Sequence, residues 1–207
     1  MHDIFVQNLL KAFIAIDPIS LIPVFAVLTA SFSKAKIIRL SVFVFLISSV
    51  VLTFFSLFGN KFLILMGISL GSFQIIGGFF LLFISFEMVL EKRHKRKETY
   101  ASKIIDEDEI NDLAVFPISI PLVAGPSAIT LSILISADFH YNMLDFYQQI
   151  LPILLILFLS ALVLFFSNFM INFFSKTVVT VLQKIFGIIL GALSIQFIID
   201  GIKESFM

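Results

Sequence analysis

Asp17 stands directly before Pro18, about a dozen residues into the first apolar run of the chain. A carboxylate at that depth needs a reason to be there. An Asp at the centre of a membrane helix costs about 3 kcal/mol on insertion scales, so its side chain must face protein or water. Three roles fit it: binding an ammonium group, carrying a proton, or capping a half-helix that begins at Pro18 by accepting a backbone amide. The cap requires no ligand, because Asp followed by Pro is a helix-start signal in any protein. Ser20 follows in the same turn, and Pro23 closes the stretch and frees a carbonyl one turn earlier.

A second stretch, from Pro117 through Pro121 to Gly125-Pro126-Ser127-Ala128-Ile129-Thr130, repeats this logic in the other half of the chain. It reads as a loop and then a new helix start at Pro126. Exposed amides and the positive end of the helix dipole at such a start attract an anion such as a carboxylate, and Ser127 and Thr130 offer hydroxyls beside it. The alternative is that Gly125 and the prolines only kink the helix, with both hydroxyls bonded back to their own backbone. Two half-helix starts pointing at one another from opposite leaflets would enclose a small polar midplane pocket. Such a pocket suits a compact zwitterion better than a bulky lipophile. Paired interruptions at matching places in two halves are the strongest sequence pointer to a transport site, because backbone groups freed inside hydrocarbon must be satisfied by protein or by a polar cavity.

The elements that must position these residues are membrane helices. Of 207 residues 59% are hydrophobic and 14% charged, with mean hydropathy +1.10, which is too apolar for an ordinary soluble domain. Spanning by helix takes roughly 20 apolar residues, and six windows qualify, at about 4–29, 37–59, 63–90, 114–136, 148–172 and 178–203. The runs are continuous rather than short and alternating, which excludes a β-barrel. The fold class is all-α. No basic region precedes the first run, so a cleaved signal peptide is not expected. Cysteine is absent, which removes disulfides and thiolate metal sites. The 27 phenylalanines, spread over every span, read as packing and lipid-facing bulk.

One long hydrophilic segment, 91–113, divides the chain into 1–90 and 114–207. It carries the basic cluster Lys92 to Lys97 and then Asp106 to Glu109 and Asp112. Basic residues in short loops stay cytoplasmic, so this linker and the loops holding Lys34, Lys36, Arg39 and Lys176 lie inside. Gly59-Asn60-Lys61 and the stretch with Asp138, His140 and Asp145 then form outer loops, with both termini outside. The basic cluster is read as fixing orientation alone, the alternative being that it also binds anionic lipid head groups; no nucleic-acid role is expected of so short a patch.

Three spans per half require the halves to be inverted relative to each other. A shift of 109 residues superposes Gln74 on Gln183, Gly78 on Gly187 and Ser85 on Ser194, and a shift of 108 superposes Pro18 on Pro126. The expected architecture is two inverted three-helix repeats with spans 1 and 4 broken. Gln74, Gln196 and Asp200 form a second polar layer on spans 3 and 6, where most such groups bond across helix interfaces. Three isolated histidines, and no nucleophile elbow or phosphate loop, give no support to an enzyme; no cofactor is expected.

At these residues the chain resembles the MarC family of bacterial inner-membrane proteins, a UPF0056-type family. The resemblance covers nearly the whole chain and rests on Asp17-Pro18-Ile19-Ser20-Leu21-Ile22-Pro23, on Phe116 to Thr130, and on the closing helix with Gln196-Phe197-Ile198-Ile199-Asp200-Gly201. Ser20 and Ser127 stand where glycine is usual in that family. It implies six helices with both termini outside, a fold likened to LysE-type exporters, and transport of small neutral amino acids. The expectation is a secondary transporter of glycine, alanine or serine in the bacterial inner membrane, coupled to H+ or Na+. Its site would comprise Asp17, Pro18, Ser20, Pro23, Pro121, Gly125, Pro126, Ser127 and Thr130. The lipid bilayer and a homo-oligomeric partner complete the expected surroundings. The alternatives are a non-transporting membrane scaffold and an exporter of hydrophobic drugs, the role the family name suggests.

Overall fold

A computed structural model describes residues 2–30, 32–92, 110–173 and 175–206; Arg93 to Glu109, with most of the charged linker, lies outside the described residues. Among the described residues there is no strand. The first span is two helices, α1 (His2–Ile16) and α2 (Pro18–Thr29). Then come α3 (Lys34–Leu65) and α4 (Leu70–Val89). The fourth span is a bent pair, α5 (Ala114–Val123) and α6 (Pro126–Ile135), meeting at 63°. The fifth and sixth are α7 (Met143–Met170) and α8 (Lys176–Phe206). Counting the bent pair as one, six segments are long and apolar enough to cross a membrane.

The expected outer loop Gly59-Asn60-Lys61 is instead part of α3. Gly59 serves packing rather than turning: a β-carbon there would sit 2.6 Å from Ile133 of α6. Asn60 donates from Nδ2 to the Ala137 carbonyl at 2.7 Å, satisfying a group just past the end of α6. The chain turns at Met66–Ser69, where Gly67 takes φ +72 and the Ser69 hydroxyl caps α4 by accepting from the Ser72 amide at 3.1 Å.

The first span runs through the middle of the bundle. Of its apolar window 78% is buried, against 22% for α8, so Asp17 is surrounded by protein rather than lipid. Its core partners are Leu21, Ile22 and Phe25 of α2 with Leu40 and Val44 of α3, Leu122 of α5, and Ile153 and Leu157 of α7. Polar ties hold it in register. Asn8 Nδ2 donates to the Gln148 carbonyl at 2.9 Å, and the Thr29 and Ser167 hydroxyls meet at 3.2 Å.

On one flank α8 lies antiparallel along α4 at a distance that only glycine permits. A β-carbon on Gly78 would meet Ile198 at 2.6 Å and the Ser194 carbonyl at 2.8 Å, while one on Gly187 would meet Val89 at 3.0 Å and the Ser85 carbonyl at 3.2 Å. Without a hydrophobic drive between helices in lipid, such close backbone approach is the main source of association. Gly201 is the tightest point, since its β-carbon would lie 2.5 Å from the Gly71 carbonyl. Gly201→Ala should therefore destabilise the bundle by about 1–3 kcal/mol, the usual cost of overpacking. A thermal unfolding midpoint in detergent equal to wild type would contradict this close packing.

Candidate functional site

The first break is one residue wide. Asp17 adopts the left-handed conformation, φ 58 and ψ 64, a region that Asp and Asn reach more readily than other side-chain-bearing residues. Its amide still bonds to the Phe13 carbonyl at 2.9 Å, completing α1. Its side chain then starts α2: Oδ1 accepts from the Ser20 amide at 3.4 Å, and the Ser20 hydroxyl donates to the Asp17 carbonyl at 3.0 Å. Pro18 occupies the first helical position. Asp17 thus performs the cap, one of the three roles that fit it. Pro23 lies within α2 and cannot donate the amide that the Ile19 carbonyl would otherwise accept.

The second break is wider and less regular than a simple half-helix. Inside α5, Phe116 and Ile120 have extended backbone, and each precedes a cis proline, Pro117 and Pro121. The Ala124 amide closes the wide turn onto the Ser119 carbonyl at 2.7 Å. Gly125 then leads into α6 with Pro126 at its first position. The need for glycine here is steric, not torsional: φ is −81, but a β-carbon would sit 2.6 Å from the Pro121 carbonyl oxygen.

A hydrogen bond joins the two breaks. The Ser127 hydroxyl, on the first turn of α6, donates to the Ala15 carbonyl at 2.9 Å, and Ala15 is in the last turn of α1. The break at Asp17 removes helical partners from that last turn; Ser127 supplies one from the other half of the chain. The seam is dry in this conformation. Asp17 is 1% exposed, Ser20 0% and Ser127 2%. Thr130, one turn further along α6, is also buried and packs its methyl toward Gly77 of α4.

The expected residues therefore divide. Asp17, Pro18, Ser20, Gly125, Ser127 and Thr130 line or support the seam, and Pro121 supports it through its carbonyl. Pro126 starts α6 with its ring exposed, so it acts through backbone geometry. Gln74, Gln196 and Asp200 belong elsewhere. Gln74 is half-buried on α4, beside Gly201 of α8. Gln196 is exposed and donates to Asp200 Oδ1 at 2.8 Å. On the same helix the Phe197 ring lies 6.0 Å from the ammonium of Lys11 of α1. This contact between the first and last spans was not legible from Lys11 alone.

Two serines near the seam also escaped the sequence reading. Ser119, fully buried in α5, donates to the Val44 carbonyl at 3.5 Å. Ser48 lies one turn beyond Val44 on the buried face of α3, with its hydroxyl dry and without a hydrogen-bond partner. In a spanning helix an unsatisfied buried hydroxyl is costly, so Ser48 is one of several buried polar side chains that a ligand or a different conformation would satisfy. The only sequence signal was a hydroxyl recurring among the apolar residues of that span.

The arrangement can do the following. At its centre are two Pro-led helix starts, one carboxylate, three buried hydroxyls and carbonyls without helical partners. Together they offer donors for an anion and acceptors for a cation within a closed protein interior.

Comparison with known proteins agrees in extent with this architecture. Residues 2–206 match the model of the MarC family integral membrane proteins. The chain is 32% identical over 206 residues to a UPF0056 membrane protein of Methanocaldococcus jannaschii, covering 98% of both chains. It is 29% identical to one of Buchnera aphidicola from Schizaphis graminum, covering 99% of this chain and 94% of the other. It is 25% identical to UPF0056 membrane protein YvbG of Bacillus subtilis, covering 100% and 97%. No solved structure gives a significant match. With a family match over essentially its whole length, the chain belongs to the MarC family of integral membrane proteins.

Proposed function

We propose that this protein is an alternating-access secondary transporter of small neutral amino acids, with glycine, alanine and serine as its substrates. The observation that carries the reading is the Ser127 to Ala15 hydrogen bond, which brings two proline-led helix starts to one dry seam. The amide-rich start of α6 takes the carboxylate. Asp17 and the carbonyls freed near Pro18 and Pro23 take the ammonium, and Ser20, Ser127 and Thr130 complete the contacts. The small residues at the start of α6, Gly125, Ser127 and Ala128, favour the smallest amino acids. Because it is closed, substrate enters only when the two halves move apart. H+ or Na+ drives that cycle, with the protein embedded in the cytoplasmic membrane, both termini outside and the basic linker inside.

The packing of α4 against α8 supports an inverted repeat as the moving framework. Gly78 meets Ser194 and Ile198, and Gly187 meets Ser85 and Val89; a shift of 109 residues turns each set into the other. A two-fold axis in the membrane plane produces that exchange, and rocking about it is the usual route to alternating access.

Binding tests the reading directly. Purified protein should take up radiolabelled glycine in a scintillation proximity assay, with competition by unlabelled alanine and serine and not by phenylalanine or leucine. Competition by hydrophobic drugs instead of alanine would move the assignment to drug export, and no binding of any small neutral amino acid would leave the breaks purely structural.

A further inference from the structure

Two crevices adjoin on the outer face of the bundle where α3 packs against α7. One, of about 500 Å³, holds Lys34 and Asn168 at its mouth, among the rings of Phe165, Phe166 and Phe169. The other, of about 320 Å³, shares Phe165 and continues over Ser41 and Ala161 to Phe45 and Phe158. Together they form one groove, polar at one end and apolar along its length. The Ser41 hydroxyl on its floor donates to the Ile37 carbonyl at 2.9 Å, so it presents little polarity to the groove. The far end is closed by the edge-on contact of Phe45 and Phe158, with ring centroids 6.0 Å apart.

The length of the groove fits a lipid tail. From Lys34 to Phe45 α3 rises about 16 Å at 1.5 Å per residue, close to half of a hydrocarbon core of about 30 Å. The mouth has the complementary charge. Lys34 is exposed and lines the crevice itself. Asn168 spends one amide hydrogen on the Thr29 carbonyl at 3.5 Å and keeps a second for another acceptor.

We propose that this groove is a binding site for one anionic glycerophospholipid, drawn from the leaflet on the Lys34 side. Its phosphate sits on Lys34 and Asn168, and one acyl chain lies over Ser41 and Ala161. Charge argues against a second copy of this chain as occupant, because a two-fold interface at this face would bring the Lys34 ammonium groups of both copies together. A zwitterionic lipid fits the track but gains less at the mouth, since each basic residue near the surface attracts anionic lipid by about 1 kcal/mol. The site is independent of the amino-acid reading, as none of its residues lies at the seam between the two breaks.

The test is lipid retention by the full-length protein, delipidated in neutral detergent, titrated with dioleoyl phosphatidylglycerol or dioleoyl phosphatidylcholine and read by native mass spectrometry. Wild type should retain phosphatidylglycerol preferentially. Lys34→Gln, at an exposed position that leaves folding intact, should weaken that retention about fivefold, and Ala161→Phe should reduce retention of both lipids by filling the track. Equal retention of the two lipids by wild type, or unchanged phosphatidylglycerol retention in Lys34→Gln, would overturn the proposal. In this cysteine-free chain, efficient cross-linking between copies through Val42→Cys in nanodiscs would also overturn it, by assigning the groove to a dimer.

Discussion

Asp17→Asn is expected to fold almost as wild type does and to lose most of its glycine exchange. The reasoning separates the two roles that the carboxylate combines. Asn tolerates the left-handed backbone at this position and caps helices about as well as Asp, so the bond to the Ser20 amide survives and stability should change by less than about 0.5 kcal/mol. The negative charge does not survive. A hydrogen bond to a charged group is worth about 1.5–3 kcal/mol, so the apparent affinity for a substrate ammonium should fall by roughly 10- to 150-fold. Asp17→Ala removes the cap as well, which costs a further 1–2 kcal/mol or so, and it should lower the thermal midpoint as well as exchange. If both variants lose stability equally and wild-type exchange persists in whatever folds, Asp17 is a cap and nothing more.

Gly125→Ala should impair both folding and transport. The added methyl would lie 2.6 Å from the Pro121 carbonyl oxygen, and because that atom is backbone, relief requires the turn or the start of α6 to shift. The expected cost is about 1–3 kcal/mol. The shift displaces the amides around Ser127 that are proposed to bind the substrate carboxylate, so exchange by the folded fraction should drop at least tenfold. Gly67→Ala is the matching control. It places a side chain at φ +72 in open space and should cost about 1–2 kcal/mol of backbone strain with no loss of exchange per folded molecule. Wild-type exchange and stability in Gly125→Ala would show that the tight turn at Pro121 plays no part in the site.

The sequence made both breaks legible because proline acts locally: without an N–H it removes a helical bond wherever it stands, and Asp17-Pro18 and Gly125-Pro126 both start helices as read. The spans were legible for a similar reason, since crossing hydrocarbon imposes a length and a composition. Glycine is ambiguous, and there the reading failed. Gly59 and Asn60 look like a turn, yet one admits Ile133 and the other bonds Ala137, partners more than 70 residues away. The extended Phe116 and Ile120 within α5 were missed although each directly precedes a proline, whose ring drives the residue before it out of the α region. Lys11 was passed over because its contact, the Phe197 ring, lies at the far end of the chain. Ser48 carried too weak a signal, a hydroxyl in an apolar run, until α5 was seen to pack on its face.

The central claim is that the seam between α1 and α6 carries a small zwitterion across the membrane. It is tested most directly by exchange of radiolabelled glycine and alanine in proteoliposomes, wild type beside Asp17→Asn, with and without an imposed proton or sodium gradient. The account predicts saturable exchange by wild type, accelerated by one of the two gradients, and a fall of tenfold or more in a variant that reconstitutes normally. Absence of exchange for every small neutral amino acid by well-folded wild-type protein would contradict it.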